Sequence, residues 1–274
     1  RRQNYFLSLG NPEEVRRRVQ AELQTLDGKP FRIPEDCSGK WTVVLFTKSW
    51  VDDEKSPLPS TVTRYLNPYG ERRGLDDFQV IVAVVGGEAA PIQAYLQEKP
   101  LDCQTLIVPG GVAHPLVKQL GILDEHERPN ALVLRPDGSI AVALSGLTMS
   151  RTKGQAIPNV IDWHDEQAVT AMLERGEIEE AKEFIFKLAP PYDPEAVDEK
   201  GRKPKQPVFS HAHLRARVRV YMAVKEWDAA LADAEEVVKR QTAIDGGMSL
   251  RSDELDEAEE LRDAIRKNRD EVKQ

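Results

Sequence analysis

The sequence predicts a mixed α/β sheet in the first half of the chain and an all-α second half. Three observations carry that division. Two short apolar runs rich in β-branched residues, Trp41–Phe46 and Val80–Val85, read as buried strands. Asn130–Leu134 and Ser139–Leu144 flank Arg135-Pro136-Asp137-Gly138, where Asp-Gly supplies the positive φ of a tight hairpin. From Trp163 onward strand signals cease and apolar residues recur at helical spacing.

In chain order, Tyr5-Phe6-Leu7 is followed by Asn11-Pro12-Glu13-Glu14, a helix-start pattern of capping Asn, Pro at the first helical position and acids in the first turn. Val15, Val19, Leu23 and Leu26 continue at helical spacing until Asp27-Gly28, so residues 1–27 are expected to form an N-terminal helical extension. Phe31-Arg32-Ile33 is a short extended piece before Pro34. After the strand Val80–Val85 and its Gly86-Gly87 turn come a short helix, Ala90–Gln97, and a brief strand, Thr105–Val108. Val112–Leu120 reads as another helix, closed by Gly121, and the hairpin completes a sheet domain over residues 28–150.

The helical half is expected over residues 160–274, with the boundary between 147 and 162. Ala168, Met172, Leu173, Ile178, Ala181, Phe184, Ile185 and Leu188 form an apolar stripe broken at Gly176. Pro190-Pro191-Tyr192-Asp193-Pro194 ends this helix pair, and Glu195–Pro207 is a polar, charged loop. The helical pattern resumes at His213 and runs to Thr242; a last helix spans Asp253–Lys273 after Gly246-Gly247.

Composition excludes several function classes. The formal net charge of −8 argues against nucleic acid as a partner, because phosphate binding needs a clustered basic surface. Of the two short basic runs, Arg16-Arg17-Arg18 and Arg215–Arg219, the first reads as a solvated helix face. No apolar stretch is long enough to span a membrane. The chain starts at Arg1 and shows no signal-peptide core, and is expected to be a processed form or a piece of something longer. An extracytoplasmic location is the expectation if an upstream signal has been removed. Cys37 and Cys103 stand 66 positions apart, which fits neither a zinc pattern nor CxxC. They are candidate thiols with three readings: two buried core residues, one structural disulfide, or a redox pair. His211-Ala212-His213 reads as structural and His126 as a surface residue. Gly110-Gly111 alone does not make a phosphate loop. No metal set and no cofactor is expected.

Several pieces in order resemble a known superfamily. Gly39-Lys40-Trp41-Thr42-Val43-Val44-Leu45-Phe46-Thr47-Lys48-Ser49 looks like the strand that leads to a Trp-Cys-x-x-Cys loop. Leu120-Gly121-Ile122, and the stretch from Arg128-Pro129-Asn130 through Gly138-Ser139-Ile140, resemble later elements of the same pattern. With Val80–Val85 as second strand, residues 28–148 resemble the thioredoxin-like superfamily, in its peroxiredoxin and thiol-disulfide reductase branch. The resemblance implies a thioredoxin-like mixed sheet, a cis peptide at Pro129 facing the redox loop, and a groove beside that proline for extended peptide. The redox motif itself is degenerate. Trp50-Val51-Asp52-Asp53-Glu54 puts Val51 and Glu54 where the thiols would be, and neither side chain can form the mixed disulfide of the exchange reaction. Asp52, Asp53 and Glu54 are expected to cap the next helix, a metal site being the alternative. Pro57, Pro59 and Pro68 are expected to alter or shorten that helix.

The second half resembles tetratricopeptide-type helix pairs. Gly176, Ile178 and Ala181 match the turn of the first pair; Tyr221, Trp227 and Ala230 match the second, with Lys225 where Gly is usual. The two turns lie 49 residues apart instead of about 34, which makes residues 190–207 an insertion. A small helical bundle is the competing reading. Together these features lead to the expectation of a redox-inactive protein that binds a protein or peptide partner, as a binding or assembly module. The alternative is a thiol-disulfide oxidoreductase or peroxiredoxin-like enzyme that uses Cys37 or Cys103.

Overall fold

Alternation of side chains along the two central strands sorts the apolar residues of the first half into two cores, one on each face of a sheet. The computed structural model describes residues 20–48, 58–74, 76–119, 130–144, 156–191, 209–245 and 253–272, and divides the chain into two units, Arg1–Ile161 and Asp162–Gln274. In the first unit the strands are β1 (Ala21–Thr25), β2 (Pro30–Ile33), β3 (Trp41–Thr47), β4 (Phe78–Val85), β5 (Gln104–Val108), β6 (Asn130–Leu134) and β7 (Ile140–Leu144). They form one seven-stranded sheet in the order β2-β1-β5-β4-β3-β6-β7. β3, β4 and β5 are parallel neighbours, whereas β6 runs antiparallel to β3 and β7 antiparallel to β6. This is the mixed, thioredoxin-like arrangement the resemblance implies.

Val43, Leu45, Val80, Val82, Val84 and Val133 face one core; Val44, Phe46, Ile81, Ala83, Leu132 and Leu134 face the other. Such two-sided burial is why these strands read as continuous apolar runs. The first core is covered by α1, which starts at Leu58–Thr61, passes through a π turn at Val62–Leu66 and ends as Asn67–Arg73. Ile92 of α2 (Ala89–Glu98) and Ile157 and Ile161 of α4 (Ala156–Glu174) complete that core. Leu116 and Val117 of α3 (Pro115–Gln119) cover the opposite face, with Phe31 and Ile33. The π turn explains how α1 tolerates Pro68. Proline lacks an N–H and crowds the carbonyl four residues earlier; the widened turn lets Asn67 donate to Val62 instead.

Two expectations need correction. Leu23 and Leu26 do not belong to a helix: Ala21–Thr25 is a strand, while residues 1–19 lie outside the described residues. In a segment this short, the spacing of Leu23 fits a half-buried strand as well as a helix. Pairing with both β2 and β5 decides it, placing Leu23 fully inside. Asp27-Gly28 is thus the turn of a hairpin, not a helix stop. The helix expected over Val112–Leu120 is also shorter: a 3-10 turn at Gly111–Ala113 precedes α3, which begins only at Pro115.

The second unit contains the rest of α4, then α5 (Ile178–Leu188), α6 (His211–Ala223), α7 (Trp227–Asp245) and α8 (Asp253–Val272). Val169, Ala181, Ile185, Ala216 and Val220 form a core shared by α4, α5 and α6. Val218, Tyr221, Ala230, Leu231, Ala234 and Ile265 form another, shared by α6, α7 and α8. The run Arg215–Arg219 is not a basic surface. Arg215 makes a bidentate pair with Glu166 at 2.9 and 2.7 Å, and Arg219 joins the same carboxylate at 3.2 Å. Arg217, between them in sequence and so on the other side of the helix, pairs bidentately with buried Asp233 at 2.8 and 2.7 Å.

Candidate functional site

Because β3, β4 and β5 are parallel, their carboxyl ends lie together, the place where open α/β sheets bind ligands. Here Lys48 after β3, Gly86-Gly87 after β4 and Pro109-Gly110-Gly111-Val112 after β5 line an open depression of about 840 Å³, with Gln24 of β1 at its side. The two glycine loops approach backbone to backbone. A Cβ on Gly111 would stand 3.2 Å from Cα of Gly86, and Gly111 itself has φ +57°, so a side chain there would be strained and crowded. That approach keeps the floor of the depression peptide-like. Val112 is 46 % exposed at its rim.

Among the described residues lining it, Lys48 is the titratable side chain; the others are apolar, amide or glycine. This lining can hold an extended chain through backbone groups and apolar contact. Among the described residues that line it there is no thiol and no hydroxyl. Trp50, Val51, Asp52, Asp53, Glu54 and Pro129 lie outside the described residues. Lys48 lines the depression, and Asn130, which follows Pro129, pairs with Phe46 of β3. Among the described residues the cis X-Pro bond is Ile33–Pro34.

The two candidate thiols are not brought together. Cys37 ends a 3-10 turn and is buried in the core on one face of the sheet; Cys103 packs against the core on the other face. Both are free, Cys37 buried and Cys103 half-buried. Burial pushes the Cys37 thiol up to about 11, with Asp36 and Glu35 adding to the rise and a Thr42 hydrogen bond opposing it. Burial and Asp102 push Cys103 up to about 12. At neutral pH the thiolate fraction at Cys37 is then on the order of one in ten thousand. Iodoacetamide at neutral pH should therefore leave both thiols unmodified in the folded chain and alkylate both in urea, read by intact mass. As pH rises past the ordinary thiol value of 9.0, the unfolded chain loses these protons before the folded one does. Stability should accordingly fall from there through about 11, a window that Cys37→Ser and Cys103→Ser would flatten.

The residues expected at the helical turns take corresponding positions. Gly176 has φ +77° and Lys225 φ +63°, both left-handed. In the first turn Gly176 and Glu177 donate to the carbonyls of Leu173 and Met172; in the second, Lys225 and Glu226 donate to Met222 and Tyr221. This is the same helix-ending hydrogen-bond pattern twice. Ala181 and Ala230 are fully buried, Tyr221 is buried, Trp227 packs against the α6–α7–α8 core, and Ile178 is half-buried. No helix among the described residues is long and apolar enough to cross a membrane.

No protein-family model matches the chain, and no curated protein matches it. Among solved structures it is similar to a thiol-disulfide oxidoreductase from Bacteroides fragilis, at 17% identity over 46% of this chain and 87% of that one, TM-score 0.37. It is also similar to the exposed lipoprotein thioredoxin of Streptococcus pneumoniae, at 21% identity over 53% and 99% of the two chains, TM-score 0.39. A secreted disulfide oxidoreductase of Mycobacterium tuberculosis aligns at 15% identity over 55% and 98%, TM-score 0.37. By its strand order and flanking helices, the unit ending at Ile161 has a thioredoxin-like fold, and a helical region follows it.

Proposed function

We propose that this chain is a binding or assembly protein, a thioredoxin-like scaffold that has kept the end-of-strand groove and lost the thiol chemistry. The observation that carries this reading is the groove lining, from which both cysteines are absent: Cys37 is buried in the core on one face of the sheet, and half-buried Cys103 packs against the core on the other. Val51 and Glu54 at the positions where the resemblance puts thiols support it from the sequence. An extended peptide would lie across the glycine loops with apolar contact at Val112. The helical unit would add a second contact surface; its two matching turns support a repeat-like, tetratricopeptide-type reading.

The test has two arms. The full chain should reduce neither insulin disulfides nor peroxide above background, and Cys37→Ser/Cys103→Ser should behave identically. Thiol-dependent turnover in the unmutated chain would instead establish the oxidoreductase alternative. In the second arm, extended peptides selected from a display library should bind the wild type. Val112→Asp should weaken them at least tenfold with unchanged circular dichroism; equal binding by that variant would rule out the groove.

A further inference from the structure

We propose that Asp162, Asp165 and His213 form a binding site for one divalent transition-metal ion, of the Zn²⁺ or Mn²⁺ class, tying α4 to α6 within the helical unit. The site lies outside the sheet and does not depend on the binding function proposed for the groove. Asp162 and Asp165 are three residues apart on α4, so both carboxylates leave the same face of the helix. His213 comes from α6, where Ser210 Oγ caps the first turn by accepting from the His213 N–H at 3.2 Å. All three residues are buried, with relative exposures of 5, 2 and 7 %.

The convergence is the point. His213 Nε2 stands 3.1 Å from Asp165 Oδ2 and 3.3 Å from Asp162 Oδ1. One nitrogen carries at most one proton, and one N–H cannot be linear to two acceptors, so hydrogen bonding alone leaves a compromised geometry. An ion placed among the donors uses all of them. With metal–ligand bonds of about 2.0–2.2 Å, neighbouring donors of a tetrahedral or octahedral shell lie about 2.8–3.6 Å apart. Both nitrogen–oxygen distances fall in that range, and the three residues' donor atoms lie within 4.8 Å of one another. Two carboxylates and one imidazole make a borderline donor set, suited to Zn²⁺ or Mn²⁺ better than to Ca²⁺, which prefers oxygen alone.

The surroundings hold the donors in place. Glu166, next to Asp165, is clamped by Arg215 and Arg219, and Arg219 also donates to Thr170 Oγ1 at 2.6 Å. The clamp bridges the same two helices immediately beside the triad. Each aspartate makes at least one further contact besides that to His213, which suits outer-shell orientation of ligating carboxylates.

The experiment uses the full chain freed of metal by chelator. Co²⁺ serves as a spectroscopic stand-in, and Zn²⁺ and Mn²⁺ as ligands in thermal melts. One Co²⁺ per chain should give visible d–d absorption without a sulfur charge-transfer band, and Zn²⁺ should displace it. Zn²⁺ or Mn²⁺ should raise the melting midpoint by roughly 5 °C. Asp165→Asn, close in shape, should lose both signals, His213→Gln likewise, while His114→Gln should keep them as a control for adventitious histidine binding. Absence of Co²⁺ absorption and of any thermal shift in the wild type at millimolar ion would overturn the proposal, leaving a hydrogen-bonded triad only. Retention of the signals by natively folded Asp165→Asn and His213→Gln, or a thiolate band, would overturn it too, by locating the ion elsewhere.

Discussion

Replacing Arg217 by Met should destabilise the helical unit by about 3–5 kcal/mol, read as a lowered urea midpoint. The guanidinium is 6% exposed and its partner Asp233 is 11% exposed, so neither charge has water to fall back on. Besides the bidentate pair, Arg217 Nη1 donates to the carbonyls of Ala189 and Pro190 at 3.2 and 2.8 Å, tying down the chain just past α5. The guanidinium carbon also lies 5.4 and 5.9 Å from the ring centres of Phe209 and Tyr221. Lysine would reproduce the charge but neither the fork nor the stacking. Burial already holds the Asp233 carboxyl above the usual range, with Arg217 opposing the rise. Removing the arginine raises it further. A raised folded value means stability is present at low pH and lost as pH climbs through it, so the penalty in Arg217→Met should be smaller in acid than at neutrality. The double variant Arg217→Met/Asp233→Leu should recover most of the loss, because an apolar pair leaves no stranded charge. A single-variant cost below about 1 kcal/mol would show that the pair does not hold these helices.

Phe46→Ala should cost the first unit about 3–5 kcal/mol by opening a cavity beside an interior strand. β3 is flanked on both sides, Phe46 pairing with Ala83 of β4 and Asn130 of β6, and its ring is 1% exposed. The backbone around it is held by two ladders and cannot collapse freely into the space. The cavity would open into the core that contains Cys37 and not into the one against which Cys103 packs. Alkylation in the folded variant should therefore quicken at Cys37 and stay slow at Cys103, read by peptide mass. Equal quickening at both thiols would mean that the variant acts by global unfolding and not through one core.

Much of the fold is legible in the sequence because its signals are local. β3 and β4 are buried on both faces and show as unbroken apolar runs; the last hairpin carries its own Asp137-Gly138 turn; and the helix pairs keep a clean apolar stripe. β1 was hidden because Ala21–Thr25 is too short to separate two periods, and only pairing with β2 and β5 selects the strand. Arg215–Arg219 looks like a charged patch in one dimension, since its carboxylate partners lie 49 and 16 positions away along the chain. The groove is half legible. Its position follows from parallel strands, but Gly86 and Gly111 become meaningful only when two loops meet. The triad of Asp162, Asp165 and His213 joins residues up to 51 positions apart, beyond any spacing motif. Lys225 is the opposite case, a residue singled out in the sequence whose backbone proves to be left-handed, the conformation that favours glycine.

The sheet that lies between Cys37 and Cys103 also keeps these two thiols from pairing with each other. Once its strands have zipped together, no local breathing can carry one sulfur through to the other, so a covalent link between them can form only in a chain that has not yet assembled. Such a cross-link would mark a chain whose sulfurs met before its strands did.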